Sequence, residues 1–178
     1  MKPVRPIIIQ QNRDISKHLQ QISFAYNKSI FVFDIHKTTL TKDGKADKEV
    51  LHYIQHLKTN HYNICFLSYD GNITRVYENN ALLNKIKEYR DIPRVFITKR
   101  RKQLVIKELL KSVMFDKRLS YHVVLIDDNE NNIKDTNQLH LPHVLTYYFT
   151  KHNRYNGHSS LRGLKQDFNV LKSIVFQA

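Results

Sequence analysis

Apolar residues in this chain fall into two alternating kinds of run. The first kind is short, continuous and rich in β-branched and aromatic side chains: residues 29–33 (SIFVF), 63–68 (NICFLS), 94–98 (RVFIT), 121–126 (YHVVLI) and 143–149 (HVLTYYF). Runs of this length and make-up predict buried strands. Between them lie stretches whose apolar positions recur every three or four residues. In 47–58 (DKEVLHYIQHLK), Val50, Leu51, Ile54 and Leu57 share one helical face, and Asp47 suits the first turn. In 75–89, Leu82, Leu83 and Ile86 face inward. Residues 102–113 (KQLVIKELLKSV) read as a further helix and 131–139 (NNIKDTNQL) as a short one.

Strand and helix therefore alternate from 29 to 149. That order predicts an α/β fold, a Rossmann-like parallel sheet of about five strands with helices on both faces. The strands are continuously apolar, as a sheet covered on both faces requires. The core domain is expected over 29–150, with an N-terminal arm or helix over 1–28. A connector and an amphipathic helix over 151–178 are expected to pack on the core. Within these flanks, 6–10 (PIIIQ) reads as an edge strand or an arm and 11–23 as a helix. Leu161, Leu164, Phe168, Leu171 and Val175 form one stripe on the last helix, fit to cover the domain or to meet a partner.

Composition adds a strong bias. Lysine and arginine number 29 against 16 acidic residues, a net charge of +13, which points to polyanionic partners. Cys65 is the single cysteine, so neither an intrachain disulfide nor a cysteine-ligated zinc site is available. With only four glycines, a Walker phosphate loop and a dinucleotide fingerprint are both excluded. The apolar run near the N-terminus is too short for a signal peptide, and no stretch approaches the roughly 20 apolar residues of a membrane span. A cytoplasmic or nuclear setting, away from membranes, is the expectation.

In parallel α/β sheets ligands bind beyond the carboxyl ends of the strands. The residues expected there are Asp34, Ser68, the Thr98–Lys99 junction, and Asp127 with Asp128. Three carboxylates gathered at one sheet edge repel one another unless a cation joins them, and oxygen-only ligands suit Mg²⁺. A lysine opening the next helix balances charge and holds a phosphoryl oxygen, and the Ser68 hydroxyl bonds another. A carboxylate beside the metal can then attack phosphorus. Singly these residues are ordinary strand ends and helix caps. His52 and His56 share a helical face with no third ligand in view, and read as surface residues.

The ordered set resembles the haloacid dehalogenase (HAD) superfamily of phosphotransferases. FVFDIHKTTL (31–40) is similar to its first motif, an apolar strand followed by Asp-x-Asp-x-Thr. ICFLS (64–68) resembles the second motif and VVLIDDNENNI (123–133) the acidic fourth. The resemblance spans about residues 29–150. It implies Asp34 as nucleophile and a Mg²⁺ site made by Asp34, the backbone carbonyl of His36, Asp127 and Asp128. It implies Thr38 as loop support, and Ser68 with Lys102 or Lys99 as phosphoryl ligands. Lys102 is preferred because it opens the apolar helix, but the run Lys99-Arg100-Arg101-Lys102 leaves the choice open.

His36 departs from the motif, which has a second Asp as general acid and base. Imidazole can take both roles near neutral pH, although a nearby cation disfavours its protonated form. His36 therefore marks a working acid–base, a slow or specialised phosphotransferase, or a member that has lost turnover. The spacings 40–63 and 69–93 leave no room for the cap domain that many members insert, and capless members tend to act on macromolecules. With Lys99, Arg100 and Arg101 at the same edge, the implied partner is a phosphorylated macromolecule, either a nucleic-acid end or a phosphoprotein. The leading expectation is a Mg²⁺-dependent phosphatase or phosphotransferase. The alternative is a catalytically degenerate relative that binds nucleic acid or a ribonucleoprotein.

Overall fold

A computed structural model describes residues 4–149. The connector and helix expected over 151–178 lie outside the described residues. The elements, in chain order, are β1 (Ile7–Ile9), α1 (Ile15–Leu19), β2 (Ile30–Phe33), α2 (Lys48–Thr59), β3 (Asn63–Tyr69), α3 (Ile73–Lys85), β4 (Arg94–Ile97), α4 (Lys102–Ser112), β5 (Val123–Asp127), α5 (Glu130–Gln138) and β6 (Val144–Tyr148). All strand pairs are parallel, in the order β1-β4-β3-β2-β5-β6.

The sheet thus has six strands among the described residues, where about five were expected. The added strand is Ile7–Ile9, from the segment that reads equally as edge strand or arm. It pairs Ile7 with Val95 and Ile9 with Ile97, and Thr98 N–H donates to the Ile9 carbonyl. Three isoleucines give no period to read, so only the open edge of β4 decides their state. The segment before residue 29 is therefore built into the same sheet.

Each strand divides its side chains between two faces. Phe31, Phe33, Phe66 and Phe96 pack against Val50, Ile54 and Leu57 of α2 and Val76 and Leu83 of α3. Ile30, Val32, Leu67 and Leu125 pack on the other face against α1, α4 and α5 through Ile15, Leu19, Ile106, Leu109 and Ile133. Each such burial contributes about 1.5–3 kcal/mol, which is why a continuously apolar strand is stable here. Of the residues expected on the inner faces of α2 and α3, Leu51, Leu82 and Ile86 are half-buried at the margin of the core. Asp47 caps α2, accepting from the N–H groups of Glu49 and Val50. No helix among the described residues is long and apolar enough to cross a membrane.

Arg94 is the exception in this core. It opens an apolar strand yet is 0% exposed. Its guanidinium donates to the carbonyls of Tyr89, Arg90 and Ile92 and to the side-chain oxygens of Asn80 and Asn84. It ties the end of α3 and the following turn to the sheet.

Strand order fixes where a ligand can enter. From β2 the chain moves outward through β3 to β4, then α4 carries it back across the sheet to β5 on the other side of β2. The carboxyl ends of β2 and β5 therefore flank the crevice at which the winding reverses. No inserted domain covers it among the described residues. Residues 34–47 form a compact loop closed by bridges His36–Leu40 and Leu40–Ala46, and only residues 70–72 separate β3 from α3.

Candidate active site

Asp34 is the first residue beyond β2. Its N–H donates to the Ile126 carbonyl at 2.9 Å, continuing the β2–β5 ladder for one more step. The turn that follows is held from below: Thr39 Oγ1 donates to the Asp34 carbonyl at 2.7 Å and Leu40 N–H to the Ile35 carbonyl at 2.8 Å. Thr38 is buried, with Oγ1 3.5 Å from Asp34 Oδ2. The loop reverses through Lys37, which takes φ = 60° without being glycine. That left-handed conformation costs a lysine energy and persists only where neighbours impose it.

Asp127 ends β5 and is fully buried. Asn129 N–H donates to its Oδ1 at 2.9 Å and the Asn132 amide to its Oδ2 at 3.0 Å. Asn129 in turn caps α5, accepting from Asn131 N–H. Asp128 is half-buried beside it. One carboxylate oxygen from each of Asp34, Asp127 and Asp128 lies within 4.8 Å of the others.

The lysine that meets them is Lys102. It opens α4, is 2% exposed, and donates from Nζ to Asp34 Oδ1 at 2.6 Å and to Asp127 Oδ2 at 2.8 Å. Its helical phase explains this: Val105, Ile106 and Leu109, at three, four and seven residues on, are buried on the same face. Lys99 and Arg101 are exposed and do not line the pocket.

Electrostatics follow from burial. Loss of solvent pushes Asp34 up to about 7, against the pull of Lys102; a hydrogen bond shared with Asp128 and that group's charge add to the rise. Asp127 is raised, first by burial and then by Asp34. Asp128 is also raised by burial. Burial alone would lower Lys102, but the charges of Asp34 and Asp127 outweigh it and leave its pKa raised. Three carboxylates thus lie around one buried ammonium, which hydrogen-bonds Asp34 and Asp127 and acts on Asp128 through its charge.

Above this cluster is an open pocket of about 430 Å³. Ser68, 1% exposed near the end of β3, lines it, and its hydroxyl makes no hydrogen bond to another described residue. His36, Lys37 and Arg100 are exposed and line its mouth, and Tyr69 stands beside Ser68 with the Arg100 guanidinium 5.3 Å from its ring centroid. Of the residues singled out in the sequence, the fold gathers Asp34, His36, Ser68, Arg100, Lys102, Asp127 and Asp128 around one cavity. Thr38 buttresses it from below. Sequence reading had not assigned Lys37, Tyr69, Asn129 or Asn132 to this place. Asn132 lies five residues after Asp127, in the first turn of α5, and its place with Ile133 at the end of the acidic run 123–133 is the signal it offered. No family model matches the chain, and no curated protein matches it either.

Proposed function

We propose that the protein is a Mg²⁺-dependent phosphatase or phosphotransferase of the HAD type that works through an aspartyl-phosphate on Asp34. The observation that carries this reading is the contact of Lys102 with both Asp34 and Asp127 at the floor of a pocket also lined by Ser68. A buried ammonium and an unpaired buried hydroxyl beside a carboxylate suit the three oxygens of a phosphoryl group.

The donor set fits a hard divalent cation. It consists of oxygens alone, three carboxylates within 4.8 Å against one ammonium, which leaves a formal excess of negative charge in a buried place. Asp34, Asp127 and Asp128 would hold the ion, with the His36 carbonyl as a further ligand. Bound there, Mg²⁺ supplies charge neutralisation for an incoming phosphoryl group.

In the chemistry proposed for the chain's own residues, Lys102 and Ser68 hold phosphoryl oxygens. An Asp34 carboxylate oxygen attacks phosphorus, forming an acyl phosphate as the ester P–O bond breaks. His36 in its protonated form gives its proton to the leaving oxygen. Neutral His36 then takes a proton from water, whose oxygen attacks the acyl phosphate and returns Asp34 as carboxylate with release of phosphate. The uncapped pocket and the +13 charge favour a phosphorylated macromolecule as substrate, met in the cytoplasm or nucleus.

The test is phosphate release from p-nitrophenyl phosphate by wild type, Asp34→Asn and His36→Asp, each with Mg²⁺ and with EDTA. The reading expects Mg²⁺-dependent release by wild type and none by Asp34→Asn. Silence in wild type with release by His36→Asp would support the degenerate, binding-only alternative. Silence in all three would remove the phosphoryl-transfer reading.

A further inference from the structure

The pocket's mouth carries a feature that phosphoryl transfer alone does not need. Arg100 lies over Tyr69, its guanidinium carbon 5.3 Å from the ring centroid, inside the range of a cation–π contact. Tyr69 is half-buried, its backbone paired with Ile97 in the sheet, so the ring is a fixed floor. Arg100 itself is exposed and borders the cavity. The result is a planar cation over an aromatic ring, in a residue that lines the pocket of the carboxylate–lysine cluster. Lys37, in its left-handed turn, is exposed and lines the same cavity.

We infer that Arg100 and Tyr69 form a stacking platform for the terminal base of a single-stranded nucleic acid whose end phosphate enters the Asp34 pocket. Lys37 then meets the next phosphodiester. This inference rests on the phosphoryl-transfer reading for the fate of the end phosphate.

The chemistry matches in three respects. Guanidinium planes and aromatic rings are the groups on which unpaired bases stack. An arginine fork and an exposed lysine lining one cavity suit a backbone carrying one negative charge per nucleotide. A phosphopeptide would need apolar pockets for its neighbouring side chains, yet the described lining residues include no Ala, Val, Leu, Ile, Met or Phe, and their only rings are Tyr69 and the His36 imidazole. The acidic residue at the mouth beyond the carboxylate cluster, Glu130, is already paired with Lys134 at 3.1 Å.

The test is binding of a fluorescein-labelled single-stranded oligonucleotide by anisotropy, on full-length Asp34→Asn protein in Mg²⁺, so that turnover cannot intervene. The probes are the oligonucleotide with a 5′-phosphate, with a 3′-phosphate and with neither, and a phosphoserine peptide. One end-phosphorylated oligonucleotide should bind more tightly than the unphosphorylated strand and the peptide. Adding Arg100→Ala should weaken it about ten-fold, and Tyr69→Leu, which keeps an apolar floor but no ring, should weaken it several-fold. Lys37→Ala should lower the slope of log K on log salt by about one phosphate contact. Tighter binding of the peptide, no gain from the end phosphate, or indifference to both Arg100→Ala and Tyr69→Leu would overturn the inference. Release of p-nitrophenol by wild type in a parallel assay reports on the phosphoryl-transfer reading alone, so either idea can fail without the other.

Discussion

Replacing Lys102 by methionine keeps most of the buried stem and removes the ammonium that lies among three carboxylates. Nζ is 2.6 Å from Asp34 and 2.8 Å from Asp127. At an effective dielectric near 20, either attraction is roughly 6 kcal/mol before the desolvation of the ions is subtracted. Breaking a buried pair by removing one partner costs a net of about 3–5 kcal/mol, so that loss is expected at pH 8 without metal. The pH dependence distinguishes this cause from a packing defect. Burial already holds Asp34 at about 7 against an unfolded value of 3.8. A raised carboxyl pKa gives stability that is complete below the unfolded value and is lost as pH rises through the folded one. Without Lys102 the folded value climbs further, so the variant goes on losing stability above pH 7, where the wild type has nearly finished doing so. Urea unfolding of both proteins in EDTA, at pH 5 and pH 8, should show a deficit clearly larger at pH 8. A deficit below about 1 kcal/mol at pH 8, or one equal at both pH values, would refute the electrostatic account.

Four further outcomes follow from the same structure. Asp34→Asn removes a carboxyl that is held at about 7, so the metal-free variant should be more stable than wild type at pH 8, by up to about 4 kcal/mol, and equal to it near pH 4. Mg²⁺ should raise the melting temperature of wild type more at pH 8 than at pH 6, because binding displaces the Asp34 proton, and should do little for Asp34→Asn. Arg94→Met takes the only donor from the Ile92 carbonyl and frees the side-chain oxygens of Asn80 and Asn84, while the Tyr89 and Arg90 carbonyls keep the N–H groups of Ile92 and Val4; it should cost about 3 kcal/mol in urea unfolding. His122 is stacked between Phe115 and His143, and burial followed by the His143 charge lowers its pKa below 6.5. The unfolded chain takes up that proton first as pH falls, so stability is lost below about pH 6.5; His122→Phe should lessen the loss seen between pH 7.5 and 5.5 in thermal melts.

The sheet and the carboxylate cluster were legible because they rest on short-range pattern. Continuous apolar runs spaced by helical periods dictate parallel strands, and parallel strands bring Asp34, Ser68 and Asp127 to one edge whatever the loops do. Lys102 is favoured over Lys99 in the sequence only because it opens the apolar helix; the fold separates them, burying Lys102 with Val105, Ile106 and Leu109 and leaving Lys99 exposed ahead of the helix. Other features depended on tertiary context. Ile7–Ile9 became a strand because β4 offered an open edge. Arg94 stands in the apolar run 94–98 with no local signal of its partners, and the carbonyls of the turn after α3, with Asn80 and Asn84, make it a buried brace. The left-handed turn at Lys37 has no residue signature, because lysine does not favour it. The platform of Tyr69 and Arg100 joins residues 31 positions apart, and no local period connects them.

The central claim is covalent, so the most direct measurement is to trap the intermediate. Wild-type protein would be mixed with a ³²P-labelled phosphomonoester and Mg²⁺, quenched in acid during the first turnover, digested, and the labelled peptide mapped. The account predicts label on the peptide containing Asp34, stable in acid, released by hydroxylamine as an acyl phosphate is, and absent from Asp34→Asn. Label that acid removes, as from a phosphorylated His36, or substrate turnover with no label on Asp34, would contradict it.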